Sequence, residues 1–272
     1  MKEMKLKDVQ NISLEILDNF HKFCASNDIK YSLGYGTLIG AIRHHGFIPW
    51  DDDIDVIMLR KDFNRFCELY KDSENYKLFS YQRKNMYAVC ARLCEMKRTY
   101  VKTYAPLYTE EAGVWIDIFP IDIVDNNKET FLKNLDSIIK ADYDTKMKRI
   151  SMLPLKSQIN NVRDLIYYLK NKILLYHSVD YYLSKQISLI SKFSRKEGEM
   201  TCQLGFPDNG DRDYLPISLY NDYIEVDFEG HRYYAISKYD ILLKSLYGNY
   251  MELPPIEEQK RGHTHHDYYW KS

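Results

Sequence analysis

The sequence lacks any long apolar run. Nowhere do about 18 uninterrupted apolar residues occur, and the N-terminus has no apolar core of a signal peptide. We therefore expect neither export nor a membrane span, and we predict a cytoplasmic location. Cysteine is also scarce: the five cysteines are an odd number and follow neither a disulfide framework nor a zinc spacing, which suits a reducing compartment. Cys90 and Cys94, four residues apart, are interpreted as small core residues rather than metal ligands.

An excess of charge of one sign is missing as well. The 38 basic and 39 acidic residues give a formal net charge of −1. Broad electrostatic binding to nucleic acid or to anionic membranes is therefore not expected, and any phosphate recognition should be local. At 272 residues, of which 45% are hydrophobic, the chain can form one large domain or a core with a helical appendage.

What the chain does contain is a dense acidic run, Asp51-Asp52-Asp53-Ile54-Asp55, between two apolar segments. If the segment from Ile54 to Leu59 is a strand, Asp53 and Asp55 project from the same face, about 7 Å apart. Two such carboxylates suit Mg²⁺, whose other ligands include substrate phosphates. An isolated Asp-x-Asp is more often a solvated acidic turn, so the interpretation depends on its surroundings.

A Gly-Thr turn precedes the acidic run. The pattern predicts a short strand from Tyr31 to Gly34 and the first turns of a helix from Leu38 to Arg43. Gly36 would let the backbone approach a phosphate, and Thr37 is expected to cap the helix with its hydroxyl. Such a pair alone is an ordinary helix cap. Followed by paired carboxylates, it indicates a phosphate cradle that faces a metal site, which is the organisation of nucleotidyltransferases of the polymerase-β type.

The run from Gly34 to Val56 reads G-Y-G-T-L-I-G-A-I-R-H-H-G-F-I-P-W-D-D-D-I-D-V. It closely resembles the signature of the LicD family, whose members include bacterial phosphorylcholine transferases and relatives of fukutin and fukutin-related protein. Two further blocks are similar to that family: Val114 to Asp122, and Tyr247 through Pro255 to the histidine-rich end. The resemblance spans nearly the whole chain and is least characteristic between about 125 and 200.

We predict an α/β (α+β) fold with a polymerase-β-type nucleotidyltransferase core, a mixed sheet and a helical subdomain. The predicted units are a catalytic core (1–125), a helical insertion or lid (126–200) and a C-terminal hairpin, helix and histidine-containing tail (201–272) that completes the same domain. Two helical stripes, separated by Pro154, support the middle unit. They are Phe131, Leu135, Ile138 and Ile139, and Leu165, Leu169, Ile173 and Leu174. A hairpin is predicted from Tyr223 to Ala235.

A third carboxylate is expected to join the pair, because the nucleotidyltransferase fold uses one on a later strand. Asp117 and Asp122 are the two candidates, and we prefer Asp117 because strand formers flank it on both sides. Asp53, Asp55 and Asp117 are therefore the predicted catalytic residues and the predicted ligands of Mg²⁺, or of Mn²⁺.

Several other residues are predicted to contact substrate. Arginine guanidinium groups can bind phosphate bidentately, and aromatic faces can bind a quaternary ammonium. At least one of Tyr35, Trp50 and Trp115 is expected to shape the donor pocket. The histidines of the tail are assigned to substrate phosphate or to capping rather than to zinc. The full predicted set is Tyr35, Gly36, Thr37, Arg43, His44, Trp50, Arg92, His263 and His266.

The resemblance implies transfer of phosphocholine from CDP-choline to a hydroxyl of a cell-surface glycan or teichoic-acid precursor, with release of CMP. The same chemistry with CDP-ethanolamine, CDP-glycerol or CDP-ribitol is an alternative. From another class comes a catalytically silent glycan- or nucleotide-binding module. A lipid-linked acceptor would bring the protein to a membrane surface. The head group, the acceptor sugar and the oligomeric state stay open.

Overall fold

The computed structural model describes residues 1–103, 106–153, 169–170, 172–259 and 266–271. Helices and strands alternate along the first half of these residues, and helices dominate from residue 128 onward until the C-terminal strands. The named helices are α1 (Leu6–Ser26), α2 (Tyr35–Ile39), α3 (Arg60–Leu69), α4 (Lys128–Ile150), α5 (Val179–Phe193) and α6 (Tyr239–Tyr247). A π-helical turn, Gly40–His44, continues α2.

The strands form three sheets. Their bounds are β1 (Lys2–Glu3), β2 (Ser32–Leu33), β3 (Asp55–Leu59), β4 (Tyr76–Ser80), β5 (Ala91–Glu95), β6 (Thr99–Thr103), β7 (Trp115–Val124), β8 (Met200–Cys202), β9 (Leu215–Pro216), β10 (Tyr223–Phe228), β11 (His231–Ile236) and β12 (His266–Trp270). The main sheet has the order β2-β3-β7-β5-β4, and β8 and β9 extend it from β7. Since β3 and β7 are parallel while their other neighbours are antiparallel, the sheet is mixed.

The predicted mixed α/β architecture is confirmed. Strand β3 carries the unbroken apolar run Val56–Leu59, all of it buried, which is typical of a strand covered on both faces. Helix α1 covers one face because Val9, Ile12, Ile16 and Phe20 recur at helical spacing and are buried. The predicted hairpin is also confirmed, as β10 and β11.

The middle of the chain packs through a second apolar cluster. Helix α4 begins after Asn127, whose side chain accepts from the Thr130 backbone at 2.9 Å, and α5 begins after Ser178, which caps in the same way. Both helices contribute to the cluster, which also receives residues from β7 and β8. Its buried members are Val89, Val124, Phe131, Leu135, Ile138, Leu183, Ile190, Cys202 and Leu204.

Several sequence expectations were wrong in detail. Ile139 belongs to the first predicted stripe but is 40% exposed. In the second stripe Leu165 lies outside the described residues, and Leu169, Ile173 and Leu174 are 46%, 74% and 59% exposed, so these three do not enter a core. Strand β5 starts at Ala91, which leaves Cys90 just before the strand and Cys94 inside it. All five cysteines are free and buried, as core residues.

Two smaller sheets complete the fold. Strand β12 lies between β1 and β6 and pairs antiparallel with both. The β10–β11 hairpin packs beside β2 and the π-helical turn. In the part of the chain that the structure describes, no helix combines the length and the apolar character that crossing a bilayer needs.

Candidate active site

Three neighbouring strands place charged residues in one row at the end of the main sheet where β3 begins. Asp55, the first residue of β3, is in register with Asp117 of β7. Arg92 of β5 is in register with Asp117 from the other side. Asp53 lies two residues before β3, so the strand starts one residue later than predicted. Strand pairing therefore brings an acidic pair from one segment to a single acid from another.

The carboxylates of Asp53, Asp55 and Asp117 come within metal-binding distance. Each offers one oxygen atom, and these oxygen atoms all lie within 4.8 Å of one another. Asp51, Asp52 and Asp53 form a second group of the same kind, which shares Asp53 with the first. Oxygen donors in this number and spacing suit Mg²⁺ or Mn²⁺, which prefer carboxylates and phosphates.

The crowding of carboxylates changes the pKa of Asp55. Burial raises its pKa well above the ordinary value of 3.8, and the charges of Asp53, Asp117 and Asp51 raise it further, whereas Arg92 lowers it. Like charges that are withdrawn from water destabilise one another. The cluster therefore gathers carboxylates in a place that disfavours the charged form of Asp55, and a bound divalent cation would relieve this condition.

Both oxygens of Asp117 are held by donors. The Arg92 Nε group donates to Oδ1 at 2.5 Å, and the Trp115 indole N–H donates to Oδ2 at 2.8 Å. The guanidinium also donates to the Tyr108 hydroxyl at 2.8 Å and lies 4.2 Å from the centroid of the Trp115 ring. Burial lowers the pKa of Arg92, but Asp117 more than offsets that, so the guanidinium stays charged. These contacts fix the direction in which the Asp117 carboxylate faces.

The helical turn that was expected to cradle phosphate differs from the prediction. Helix α2 begins at Tyr35, so Gly34 occupies the N-cap and Thr37 lies inside the helix. Thr37 does not cap α2; its hydroxyl accepts from the Asp55 backbone N–H at 2.8 Å. The hydroxyl oxygen of Thr37 therefore accepts a hydrogen bond from the first residue of β3 instead of capping α2. Tyr35 has a φ of +46°, a left-handed conformation that a tyrosine adopts only when its surroundings require it.

Gly36 lies against the acidic run. A Cβ atom at this position would lie 2.9 Å from Oδ2 of Asp51, closer than real Cβ contacts come. The absence of a side chain thus lets α2 approach the acidic run. The predicted cradle thus contacts the acidic segment at two residues. Gly36 lies close to Asp51, and Thr37 accepts a hydrogen bond from Asp55.

Arg43 and His44 lie on the π-helical turn and face the C-terminal part of the chain. The Arg43 Nε group donates to Nε2 of His44 at 2.9 Å, and Nη1 donates to the backbone oxygens of Tyr250 and Glu252 at 2.6 and 2.9 Å. Burial lowers the pKa of both side chains, and Arg43 lowers that of His44 further. Arg43 thus connects the π-helical turn with the segment after α6. Arg43 and Trp50 also line a cavity between these two parts of the chain.

One of the two predicted tail histidines, His263, lies outside the described residues. His266 is the first residue of β12, where its backbone is in register with Thr103. Their assignment to substrate phosphate or to capping stays a prediction.

Asp122, the rival third acid, lies elsewhere. It accepts from Arg60 Nε at 2.8 Å and from Nη2 at 2.7 Å, and the Ser194 hydroxyl donates to it at 3.1 Å. Within the described ranges, neither acidic group includes Asp122. The geometry thus brings Asp117, rather than Asp122, to Asp53 and Asp55.

Sequence reasoning missed three residues near the cluster. Tyr108 holds Arg92, and Tyr247 and Asp213 interact electrostatically with Tyr35. Burial raises the pKa of Asp213 to about 6, although the side chain of Asn209 donates to it at 2.9 Å. Tyr108 and Asp213 lie outside the motifs, so no local signal identified them. Tyr247 begins a block with family resemblance, but the pattern did not indicate its place near the cluster.

Comparisons with known proteins show likenesses over nearly the whole chain. Residues 28–159 match the family model described as LicD/FKTN/FKRP, nucleotidyltransferase domain. The chain is 32% identical to the lipopolysaccharide cholinephosphotransferase LicD of Haemophilus influenzae, over 98% of this chain and 99% of that protein. It is also 31% identical to an uncharacterized protein of Rickettsia typhi over 35% of this chain and 30% of that protein. The matched residues include the acidic run, Arg92 and Asp117.

Proposed function

The chain belongs to the LicD family of phosphotransferases, and we propose that it transfers phosphocholine from CDP-choline to a hydroxyl of a cell-surface glycan. The full-length likeness to a lipopolysaccharide cholinephosphotransferase supports the phosphocholine group and favours a lipopolysaccharide acceptor over a teichoic-acid precursor. The observation that carries the proposal is the convergence of Asp53, Asp55 and Asp117. The reaction forms a bond from the acceptor oxygen to the choline phosphorus and breaks the bond between that phosphorus and the bridging oxygen, which leaves with CMP.

We infer further that the core is a polymerase-β-type nucleotidyltransferase. Support comes from the description of the matching family model and from the placement of the acids. A pair of acids lies at the start of one strand, and the third lies on its parallel neighbour. The same core would here move phosphocholine rather than a nucleotide, so the donor must sit with its choline phosphorus towards the acceptor.

The three carboxylates fit a divalent cation. Their oxygen atoms lie close together, Asp55 is desolvated among like charges, and oxygen ligands are those that Mg²⁺ and Mn²⁺ prefer. A bound cation would neutralise the charge that develops on the donor phosphates. Asp53, Asp55 and Asp117 are the residues that would hold it.

The chain's own groups position these acids. Thr37 fixes the backbone of Asp55, while Arg92 and Trp115 orient the carboxylate of Asp117. One of the three carboxylates would also accept the proton of the acceptor hydroxyl as that oxygen attacks. Such preorganisation lowers the barrier because the groups need not rearrange during the reaction.

The remaining predicted substrate residues fall into two groups. Gly36 lies at the acidic run, where the diphosphate of the donor would bind, and Tyr35 precedes it. Arg43, His44 and Trp50 lie on the side of the C-terminal segment, where the donor's head group would bind. Arg92 would act on phosphate through Asp117, because its guanidinium is already paired with that carboxylate.

A donor screen tests the proposal. The purified protein is incubated with lipopolysaccharide acceptor and with CDP-choline, CDP-ethanolamine, CDP-glycerol or CDP-ribitol, and CMP release is measured with Mg²⁺, with Mn²⁺ and with EDTA. We expect metal-dependent release that is fastest with CDP-choline, and no release by Asp53→Asn. A faster reaction with CDP-glycerol or CDP-ribitol would reassign the donor, and absence of release with all four would favour the silent binding module.

A further inference from the structure

A cavity opens beside the carboxylate cluster, between the π-helical turn and the segment that follows α6. Its volume is about 500 Å³. The inner wall comes from the helical turn and from the loop before the acidic run. The outer wall comes from residues 247–258. The polar and large aromatic residues of the lining include Arg43, Trp50, Tyr247, Asn249, Glu252 and Glu258.

Two residues connect this cavity with the carboxylates. Trp50 directly precedes Asp51, the first residue of the acidic run. The Tyr247 hydroxyl is close enough to the cluster that, in addition to burial, the charges of Asp55 and Asp51 raise its pKa. The cavity therefore adjoins the acidic run, where the phosphates of the donor would bind.

The lining has the chemistry that suits a cation without hydrogen-bond donors. Trp50 and Tyr247 supply aromatic surface to the cavity wall. Glu252 and Glu258 supply negative charge. Among the described residues of the lining the single basic side chain is Arg43, whose guanidinium donates to the backbone oxygens of Tyr250 and Glu252. Aromatic faces with nearby carboxylates bind quaternary ammonium groups.

A neutral polyol would find fewer partners. Glycerol or ribitol would need several donors and acceptors placed for its hydroxyls. Besides the acids, the side chain of Asn249 is the one amide in the described lining. The walls favour a methylated ammonium over a chain of hydroxyls.

We propose that this cavity is the head-group subsite of the donor and binds the trimethylammonium end of the phosphocholine group against Trp50 and Tyr247. Glu252 and Glu258 balance its charge. Arg43 builds the site rather than touching the head group, since it fastens the wall that carries Glu252 to the π-helical turn. The assignment rests on the proposed function, because it takes the carboxylate cluster as the place of the phosphates.

Binding and kinetic variants test the subsite. Trp50→Leu removes the aromatic face, and Trp270→Leu, at a partly buried tryptophan on β12, is its matched control. Glu252→Gln removes a charge from the wall, and Glu257→Gln at an exposed neighbour outside the lining is the control for that change. Calorimetric titration with phosphocholine measures binding without turnover, and kcat/KM is measured with CDP-choline and CDP-glycerol.

We expect Trp50→Leu to weaken phosphocholine binding and to lower kcat/KM for CDP-choline by about 10-fold to 30-fold, with a change below about 3-fold for CDP-glycerol. Glu252→Gln should give a smaller loss of the same selectivity, and both controls should bind like the unmodified protein. Equal losses for both donors, or equal losses in Trp50→Leu and Trp270→Leu, would overturn the subsite. If Glu252→Gln folds normally but leaves phosphocholine affinity and donor selectivity unchanged, the role proposed for the acidic residues of the subsite is wrong.

The titration separates this inference from the proposed function. Phosphocholine binding that depends on Trp50, in a protein that releases no CMP from CDP-choline, would refute the transfer and leave the subsite standing. Phosphocholine transfer that is indifferent to Trp50 and to Glu252 would refute the subsite and leave the transfer standing.

Discussion

Asp117 and Asp122 lie on the same strand, β7, and both are almost completely buried, with exposures of 5% and 1%. Each is paired with an arginine, Arg92 for Asp117 and Arg60 for Asp122. Their surroundings differ in charge balance. Asp122 receives two nitrogens of one guanidinium and a serine hydroxyl, whereas Asp117 receives one guanidinium nitrogen and one indole N–H while two further carboxylates approach it.

The difference shows how two similar sequence positions acquire different tasks. A buried carboxylate whose oxygens are matched by a bidentate arginine is neutralised, and such a pair contributes to structure. The pair at Asp117 lies beside two further carboxylates, and burial and these neighbours disfavour the charged form of Asp55, a condition that a bound cation would relieve. Charge balance, rather than burial or the presence of an arginine, distinguishes the candidate catalytic acid from the structural one.

Replacing Asp122 should have the largest effect on stability. Asp122→Asn leaves the Arg60 charge, whose side chain is 21% exposed, without its carboxylate, and losing one partner of a buried pair costs about 3 to 5 kcal/mol. Urea unfolding measures this loss. Calorimetric titration with Mn²⁺ and donor should show little change in metal affinity for Asp122→Asn and a clear loss for Asp117→Asn. The reverse order of metal affinities would move the catalytic role to Asp122.

Replacing Asp53 or Asp55 should remove activity without loss of stability. Asp53→Asn and Asp55→Asn each take charge from the cluster at nearly constant volume, and loss of such a stabilising group costs about 10²-fold to 10³-fold in kcat. The melting temperature of Asp55→Asn should equal or exceed that of the unmodified protein, because burial and neighbouring acids already disfavour the charged form of Asp55. Near-normal turnover of both variants at saturating Mg²⁺ would show that the metal site is wrongly assigned.

Asp213 extends the comparison to a buried acid that accepts a hydrogen bond from an amide, the side chain of Asn209. Its pKa is about 6 in the folded protein against an ordinary 3.8. Because folding raises this pKa, the contribution of Asp213 to the free energy of unfolding is greatest below about pH 4. It falls by about 3 kcal/mol in total as the pH rises through about 6. Asp213→Asn should therefore stabilise the protein at pH 7.5 and have little effect at pH 4. Urea unfolding at both values checks this, and a gain of equal size at both would attribute the effect to something other than ionisation.

Divalent cations should stabilise the folded chain through the cluster alone. A ligand that binds only the folded state at 100 times its Kd adds about 2.7 kcal/mol. Mg²⁺ or Mn²⁺ should raise the melting temperature of the unmodified protein and of Asp213→Asn, and EDTA should reverse the rise. An equal rise in Asp55→Asn would place the bound cation outside the cluster.

The sequence was sufficient for the parts of the site that depend on local pattern. Apolar residues on both sides of the acidic run and around Asp117 predicted strands, and the acids followed from their places on them. The contacts of Thr37, Arg92 and Arg43 were not accessible in this way, because each is made with a residue on another segment: Asp55, Asp117 and the backbone after α6. The cavity proposed for the head group could not be predicted for the same reason, since Trp50 and Tyr247, which are far apart in sequence, line it together only in the folded chain.

The register between β3 and β7 has a consequence for how the protein matures. Asp55 and Asp117 come from positions about 60 residues apart, and contacts of long sequence separation pay a loop-closure cost before they return any stability, so they tend to form late in folding. A chain with most of its helices in place but with β7 still undocked would have Asp53 and Asp55 without Asp117. Ability to bind a divalent cation would thus appear with the final topology, and pulse-labelled refolding followed by metal-sensitive fluorescence would report when the chain becomes an enzyme.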